Sequence, residues 1–322
     1  MKTIRAIAFV LSLLIIVTSA NYVTGQDFPN KPIRLIVPYT PGGSHDLLAR
    51  SIQVPMGKVL GTTIVVEDIP GGSTKVGSME MLKAKPDGYT LLLMNNLAWV
   101  GYYYSKTYDS KPWEGSTALG NLVVSPFGFI QVRADAPYRT WPQLVEYAKK
   151  NPGKLTCSGP GAGGMMEAIF TQITERAGIK MRYVPFAGAS PAQTALLGGH
   201  VDSHICTVGE AIVMINAGKT RGIAITSDKR YYAVPNVPTF TELGLGDAIW
   251  INYPIWGPSN MPKNIADKIS KAIEVAVKDA DFVTLAKDKL VCIPEFRPGS
   301  VVKDNTEKMD KTWGPILSAI YK

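Results

Sequence analysis

One pattern constrains the fold more than any other: a short apolar strand, a glycine-rich turn and an amphipathic helix, repeated near the start of the chain and again past its middle. Ile33-Arg34-Leu35-Ile36-Val37 leads into Pro41-Gly42-Gly43-Ser44 and an amphipathic stretch to Leu60, which Gly61 stops before a strand from Thr63 to Val66. Pro70-Gly71-Gly72-Ser73 then opens a short helix around Gly77 to Lys83, and a Pro86-Asp87-Gly88 turn precedes a strand from Tyr89 to Met94. The later copy runs strand Lys154 to Cys157, glycines from Gly159 to Gly164, helix Met165 to Ala177, stop at Gly178 and strand Lys180 to Val184. A Gly188 turn, a helix Pro191 to Leu197 and a strand Val201 to Cys206 complete it. Strands alternating with helices pair in parallel, and right-handed crossovers bring their carboxyl ends, with the turns, to one sheet edge. That edge is where open α/β sheets bind ligands. The expected fold is therefore α/β, with two domains of mostly parallel sheet flanked by helices and a ligand cleft between them.

A chain of 322 residues holds two domains of about 150 residues each. The sequence assigns 26–130 and 239–322 to domain 1 and 131–238 to domain 2. The last stretch supplies a return strand and amphipathic helices from Pro262 to Lys287 and from Val301 to about Asp310, which cover the first domain.

Lys2 and Arg5 precede an apolar run from Ala6 to Val17, followed by small or polar residues with Thr18-Ser19-Ala20 or Val23-Thr24-Gly25 as cleavage sites. This reads as a secretory signal peptide over 1–25, because the run is short of the roughly 20 residues a spanning helix needs. No Cys follows it to accept a lipid, so the mature protein is expected to be soluble in a bacterial periplasm. Removing the leader's two cations from the formal charge of +8 leaves +6. Basic residues cluster only in pairs such as Lys149-Lys150 and Lys229-Arg230, which argues against nucleic acid as a partner. Cys157, Cys206 and Cys292 lack metal-type spacing, and Cys157 with Cys206 is the one pair to consider for a disulfide.

Several chemical motifs are approached and missed. Gly159-Pro-Gly161-Ala-Gly163-Gly164 has the form of a dinucleotide fingerprint, but the next strand ends Val184-Pro-Phe-Ala187 without the acid that would hold a ribose. Ala217-Gly-Lys-Thr220 imitates the end of a phosphate loop, with Val213 where the first glycine must stand. His200, Asp202, His204 and Cys206 would share one face of a strand, as a metal set does, yet on a buried strand packing and hydrogen bonding are the preferred reading. No nucleophile elbow or zinc-protease motif is present, and neither a catalytic residue, a metal nor a cofactor is assigned. What remains is the physics of glycine-opened helix N-termini, whose N–H groups favour an anion, at Gly42-Gly43-Ser44 and at Gly159 to Gly164. Asp46 would complement the first helix's dipole and Ser44 would cap it.

Phe28-Pro-Asn-Lys-Pro-Ile-Arg-Leu-Ile-Val-Pro-Tyr-Thr-Pro-Gly-Gly-Ser-His-Asp46 resembles the opening of the Bug family, the solute receptors of tripartite tricarboxylate transporters. The resemblance continues through Val66 to Gly71, Pro86 to Leu91, Val184 to Gly188, Leu197 to Asp202, Ala217 to Lys219 and Pro235 to Thr239. It implies a type II periplasmic-binding-protein fold that closes around a small carboxylate held largely by backbone N–H groups. Carried over, it places ligand contacts at Tyr39, Pro41, Gly42, Gly43, Ser44, His45 and Asp46, at Gly71, Gly72, Ser73 and Thr74, and at Asn95. In the second domain it points to Ser158, Gly161, Ala162, Gly163, Phe186, Ala187, Cys206 and Thr207.

The chain departs from the family pattern by putting Lys75, a further candidate ligand contact, in the second turn, Met165 where a His is usual, Phe186-Ala-Gly188 for Tyr-Lys-Gly, and Cys206 for a frequent Asp. These changes suit an acid with an apolar or aromatic body as well as a dicarboxylate. The expected function is a monomeric, non-enzymatic receptor that delivers a small organic acid to membrane transporter subunits. The alternatives are a secreted hydrolase or metal enzyme using the His200 to Cys206 face, or a receptor that serves signalling.

Overall fold

The computed structural model describes residues 28–321 apart from Gly163 and Ala187; the expected leader over 1–25 and those two site candidates lie outside the described residues. The first half builds β1 (Ile33–Val37), α1 (Ser44–Leu60), β2 (Ile64–Asp68), α2 (Lys75–Leu82), β3 (Thr90–Leu93) and α3 (Asn96–Tyr104). β1 sits between β2 and β3, parallel to both, with Val37 opposite Asp68 and Ile36 opposite Leu92. Its apolar side chains are fully buried, while Arg34 reaches out to Glu67 and Glu80, each at 2.6 Å. Gly61 closes α1 in the left-handed conformation (φ 72°), as its place in the sequence predicts.

β4 (Ser116–Pro126) carries the chain to a crossing at Phe127-Gly128. The second half then forms β5 (Phe129–Arg133), α4 (Trp141–Lys150), β6 (Thr156–Pro160), α5 (Met165–Arg176), β7 (Arg182–Phe186), α6 (Ala189–Leu197), β8 (Ser203–Cys206), α7 (Val208–Asn216) and β9 (Thr220–Ile225). The return passes through Thr226 and Ile249 into β10 (Trp250–Pro258), α8 (Lys263–Ala276), α9 (Ala280–Thr284), a π turn (Leu285–Lys289), β11 (Ile293–Pro294) and α10 (Gly299–Ile320). The two crossing segments are tied to each other by Thr226 N–H to Gly128 O (2.9 Å), Ile249 N–H to Thr226 O (2.8 Å) and Phe127 N–H to Ile249 O (2.8 Å). Gly128 is required there: its φ is 131°, and a Cβ would stand 2.7 Å from the Thr226 methyl.

The sheets have the orders β11-β4-β10-β3-β1-β2 and β7-β6-β8-β5-β9. In each, three strands form the parallel part that the turns predict, β2-β1-β3 and β7-β6-β8, and the strands next to the crossings run antiparallel. Pro254 stands inside β10 directly after a register shift that skips Tyr253, and it faces Asn121 of β4. Asp279 divides the expected helix from Pro262 to Lys287, since its side chain caps α9 by accepting from the N–H groups of Asp281 and Phe282. α10 outruns its expected end at Asp310 by ten residues and buries Trp313 and Leu317. α8 and α10 pack on β4, the covering role the sequence assigns to the tail. No helix among the described residues is long and apolar enough to cross a membrane.

Candidate functional site

Because β1, β2 and β3 end in register, the loops that follow them leave one edge of the first sheet together. In the first loop Gly42 takes a left-handed φ of 83° and gives its N–H to Asp46 Oδ2 at 2.8 Å. The cap of α1 is Gly43, and Ser44 is the first helical residue, contrary to the expectation that Ser44 caps. Asp46 folds its carboxylate back to the Gly42 N–H, one residue before the cap, and among the described residues no side chain caps the first-turn N–H groups. Arg50 pairs with Asp46 and, at 2.7 Å, with Asp68 at the end of β2. Burial first, and the Asp46 charge second, hold the Asp68 carboxyl above its ordinary range. The N–H groups of Gly43, Ser44, His45 and Asp46 have no backbone acceptor among the described residues. They lie at the positive end of a 17-residue helix.

The second loop runs through four successive residues of positive φ, Gly71 (131°), Gly72 (54°), Ser73 (51°) and Thr74 (73°). Lys75 N–H returns to Gly72 O (3.1 Å) and Val76 N–H to Gly71 O (3.3 Å), while those of Ser73 and Thr74 have no backbone acceptor among the described residues. Thr74 Oγ1 meets the Tyr108 hydroxyl at 2.9 Å in a buried pair, so its side chain is spent on the fold. The Lys75 ammonium stands 3.5 Å from Asp109 at the surface.

The third loop supplies Asn95. Its Oδ1 accepts from Ala98 N–H at 2.7 Å and caps α3, which orients Nδ2 toward His45 Nε2 (3.3 Å) and the Tyr39 hydroxyl (3.5 Å). The Tyr39 ring stacks on His45 at 4.2 Å, and Tyr253 of β10 covers that ring from another side at 4.9 Å. Burial pushes the His45 imidazole down to about 3, so the ring is neutral and accepts from Asn95 through Nε2. The first half therefore brings its candidates together as N–H donors beside a neutral aromatic wall.

The second half spreads its candidates. Ser158 Oγ turns inward to Ala192 O (3.1 Å) and His204 Nδ1 (3.0 Å), while Gly161 and Ala162 are exposed in the turn before α5. Gly161 N–H binds Phe186 O (2.8 Å), and the Phe186 side chain packs on the apolar cluster of Ala195, Leu196 and Val201. Cys206 is fully buried, with Gln131 Nε2 at 3.4 Å from its sulfur. Thr207 opens α7 in a capping box with Glu210, whose Oε2 accepts the Thr207 N–H at 2.9 Å.

His200, Asp202, His204 and Cys206 do not share a centre. Asp202 is held by Thr156 N–H (2.9 Å) and Oγ1 (2.8 Å), and His204 Nδ1 lies 3.0 Å from both the Ser158 carbonyl and its hydroxyl. All three cysteines are free thiols; Cys157 pairs across the ladder with Ser203, which sets Cys206 about 10 Å further along the strand and out of disulfide reach.

Residues 48–311 match the tripartite tricarboxylate transporter family receptor model. The chain belongs to that receptor family. A relative from Cupriavidus necator, a UPF0065 protein, is 33% identical over 250 residues, 78% of this chain and 76% of its own. A crystal structure of a TctC solute-binding protein from Polaromonas, without ligand, superposes with a TM-score of 0.78 at 25% identity, covering 91% of this chain and 99% of its own. The periplasmic binding protein BugD superposes with a TM-score of 0.75 at 28% identity, covering 91% and 98%. The fold is thus the two-domain periplasmic-binding-protein fold that the resemblance implies.

Sequence reading of this receptor missed Tyr253, Arg50 and Asp68, which cover or hold the first loop. Tyr253 reaches His45 only through the sheet order, with about two hundred residues of chain between them.

Proposed function

We propose that the protein is a non-enzymatic periplasmic receptor that captures a small organic acid and presents it to the membrane subunits of a tripartite transporter. The carboxylate is held by main-chain N–H groups of the Gly43 to Asp46 helix start and of Ser73 and Thr74. One observation carries the reading: the acceptor-free N–H groups of the first loop stand at a helix N-terminus, at the carboxyl edge of a parallel sheet, beside the neutral His45 ring. Family membership supports the receptor role, and the leader-like N-terminus together with the periplasmic relative BugD supports the compartment.

Thermal unfolding against a broad panel of mono-, di- and tricarboxylates, aromatic acids and amino acids tests it. Saturable binding of one acid, with a raised Tm, is the expected result. A panel that yields no shift, checked by native mass spectrometry of gently purified protein that carries no small acid, overturns the reading.

A further inference from the structure

The second sheet carries a cavity of its own, away from the first-half loops. β9 is the edge strand of that sheet, and its first residue, Thr220, stands opposite Arg133 at the end of β5 remote from the crossing. The segment from Ala233 to Pro238 covers part of that edge and is tied to it where Ile225 N–H binds Pro238 O at 3.1 Å. Between this segment, the start of β9, the last turn of α7 and the residues that open α4 lies a cavity of about 450 Å³, the size of a small-ligand site. Its wall is mostly apolar, with Ile215, Ile223, Ala233, Val234 and Val237. Charge of one sign reaches it, for among the described residues its ionisable lining is Arg139 and Arg221. Neither guanidinium pairs with a carboxylate among the described residues; Asp135 and Glu242 of adjoining segments are held by Arg133 (2.9 Å) and Arg230 (3.1 Å). Arg139 is exposed, and Arg221 gives Nη2 to the Ala134 carbonyl at a long 3.5 Å. Thr220, 4% exposed in the same wall, has an Oγ1 without a partner among the described residues. Thr140 caps α4, so the positive end of that helix lies at the same rim.

An apolar cavity whose only charges are guanidiniums without counter-ions is complementary to a molecule with an apolar body and one anionic head. We infer that it is a second ligand site, for a medium-chain alkyl carboxylate whose chain lies against Ile215, Ile223 and Val234 and whose head is held by Arg139 and Arg221. A compact polar acid would leave the apolar wall unfilled, and an alkyl cation would meet like charge. The site stands apart from the carboxylate reading above, since none of its lining residues belongs to the first-half loops.

Calorimetric titration at pH 7.5 with octanoate, acetate, 1-octanol and octylammonium tests the inference. Octanoate is expected to bind wild type at least tenfold more tightly than acetate or octanol, and octylammonium not to bind. The double variant Arg139→Gln, Arg221→Gln is expected to weaken octanoate at least tenfold while its ligand-free Tm stays at the wild-type value, because the guanidiniums hold no ion pair. Gly43→Pro, in the first loop, is expected to bind octanoate as wild type does. Absence of octanoate binding, equal affinity for acetate or octanol, or an octanoate affinity that survives the double variant overturns the inference; loss in Gly43→Pro instead assigns octanoate to the first loop and overturns it as well. Sedimentation velocity completes the test: a wild-type dimer that the double variant loses makes a second copy of the chain the occupant and overturns the small-ligand site, whereas a monomer throughout is the expected result.

Discussion

Asp46 is where a structural and a ligand-contacting role separate most cleanly. Its side chain is 4% exposed, it accepts the Gly42 N–H at 2.8 Å, and it pairs with Arg50, itself 47% exposed. Asp46→Ala removes a buried charged hydrogen bond, about 1.5–3 kcal/mol. It also removes an acid from the first helical turn, about 0.3–1 kcal/mol. The ion pair adds little, because Arg50 is half in solvent and keeps Asp68. A total of about 2–4 kcal/mol lowers Tm by roughly 5–12 °C. Acid binding weakens as well, because the loop that aims the N–H groups loses its tie. Asp46→Asn retains an acceptor for Gly42 and removes only the charge, so it should cost about 1 kcal/mol and bind an acid at least as well as wild type. Urea melts and titration of both variants with the acid found in the panel decide the matter. If Asp46→Asn abolishes binding as fully as Asp46→Ala while retaining Tm, then the Asp46 charge contacts the ligand and the assignment of Asp46 to the loop is wrong.

Three further outcomes are expected. Burial holds the His45 and His204 rings down at about 3 and about 4, below the ordinary 6.5. The unfolded chain therefore takes up protons below pH 6.5 that the folded chain refuses, so stability falls with pH: each ring costs about 2 kcal/mol between pH 7 and 5. The urea midpoint should drop over that interval and drop by about half as much in His204→Gln; an unchanged wild-type midpoint refutes this. Lys75→Ala should alter acid affinity by less than about threefold, because a solvated ammonium contributes little, and a larger loss would move Lys75 into the site. Ellman's reagent should label the native protein slowly and all three thiols on unfolding, since burial pushes Cys157 and Cys292 up to about 12 and Cys206 well above its ordinary value. Rapid native labelling contradicts the buried placement.

The parts of the molecule legible in the sequence are those decided within a turn or two of chain. The apolar run Ile33 to Val37, the stop at Gly61 and the glycines before α5 each act locally, and each element formed where its residues direct. Local reading also erred where two local solutions compete. Ser44 has the chemistry of a cap, but the helix starts one residue earlier, with Gly43 in the extended cap conformation (φ −80°); Asp279 interrupted an amphipathic period that looked continuous through Lys287. The site was legible only on one side. Gly42 to Asp46 and Gly71 to Thr74 announce themselves by glycine and by helix starts, whereas Tyr253 becomes a neighbour of His45 only through the order of strands in the first sheet.

The central claim is that main-chain N–H groups of the first loop hold the acid. The structure offers a clean deletion: Gly43 has φ −80°, within reach of proline, and a Cβ there comes no closer than 3.6 Å to the Thr40 carbonyl. Gly43→Pro therefore removes one donor without forcing the backbone at that residue, Gly43→Ala controls for the added carbon, and Ser44→Ala removes a side chain while keeping every N–H. Calorimetric titration of the three variants with the acid identified in the panel is the most direct measurement. Near-wild-type affinity in Gly43→Ala and Ser44→Ala with a loss of tenfold or more in folded Gly43→Pro is predicted. Wild-type affinity in folded Gly43→Pro would contradict the claim and move the carboxylate away from this loop.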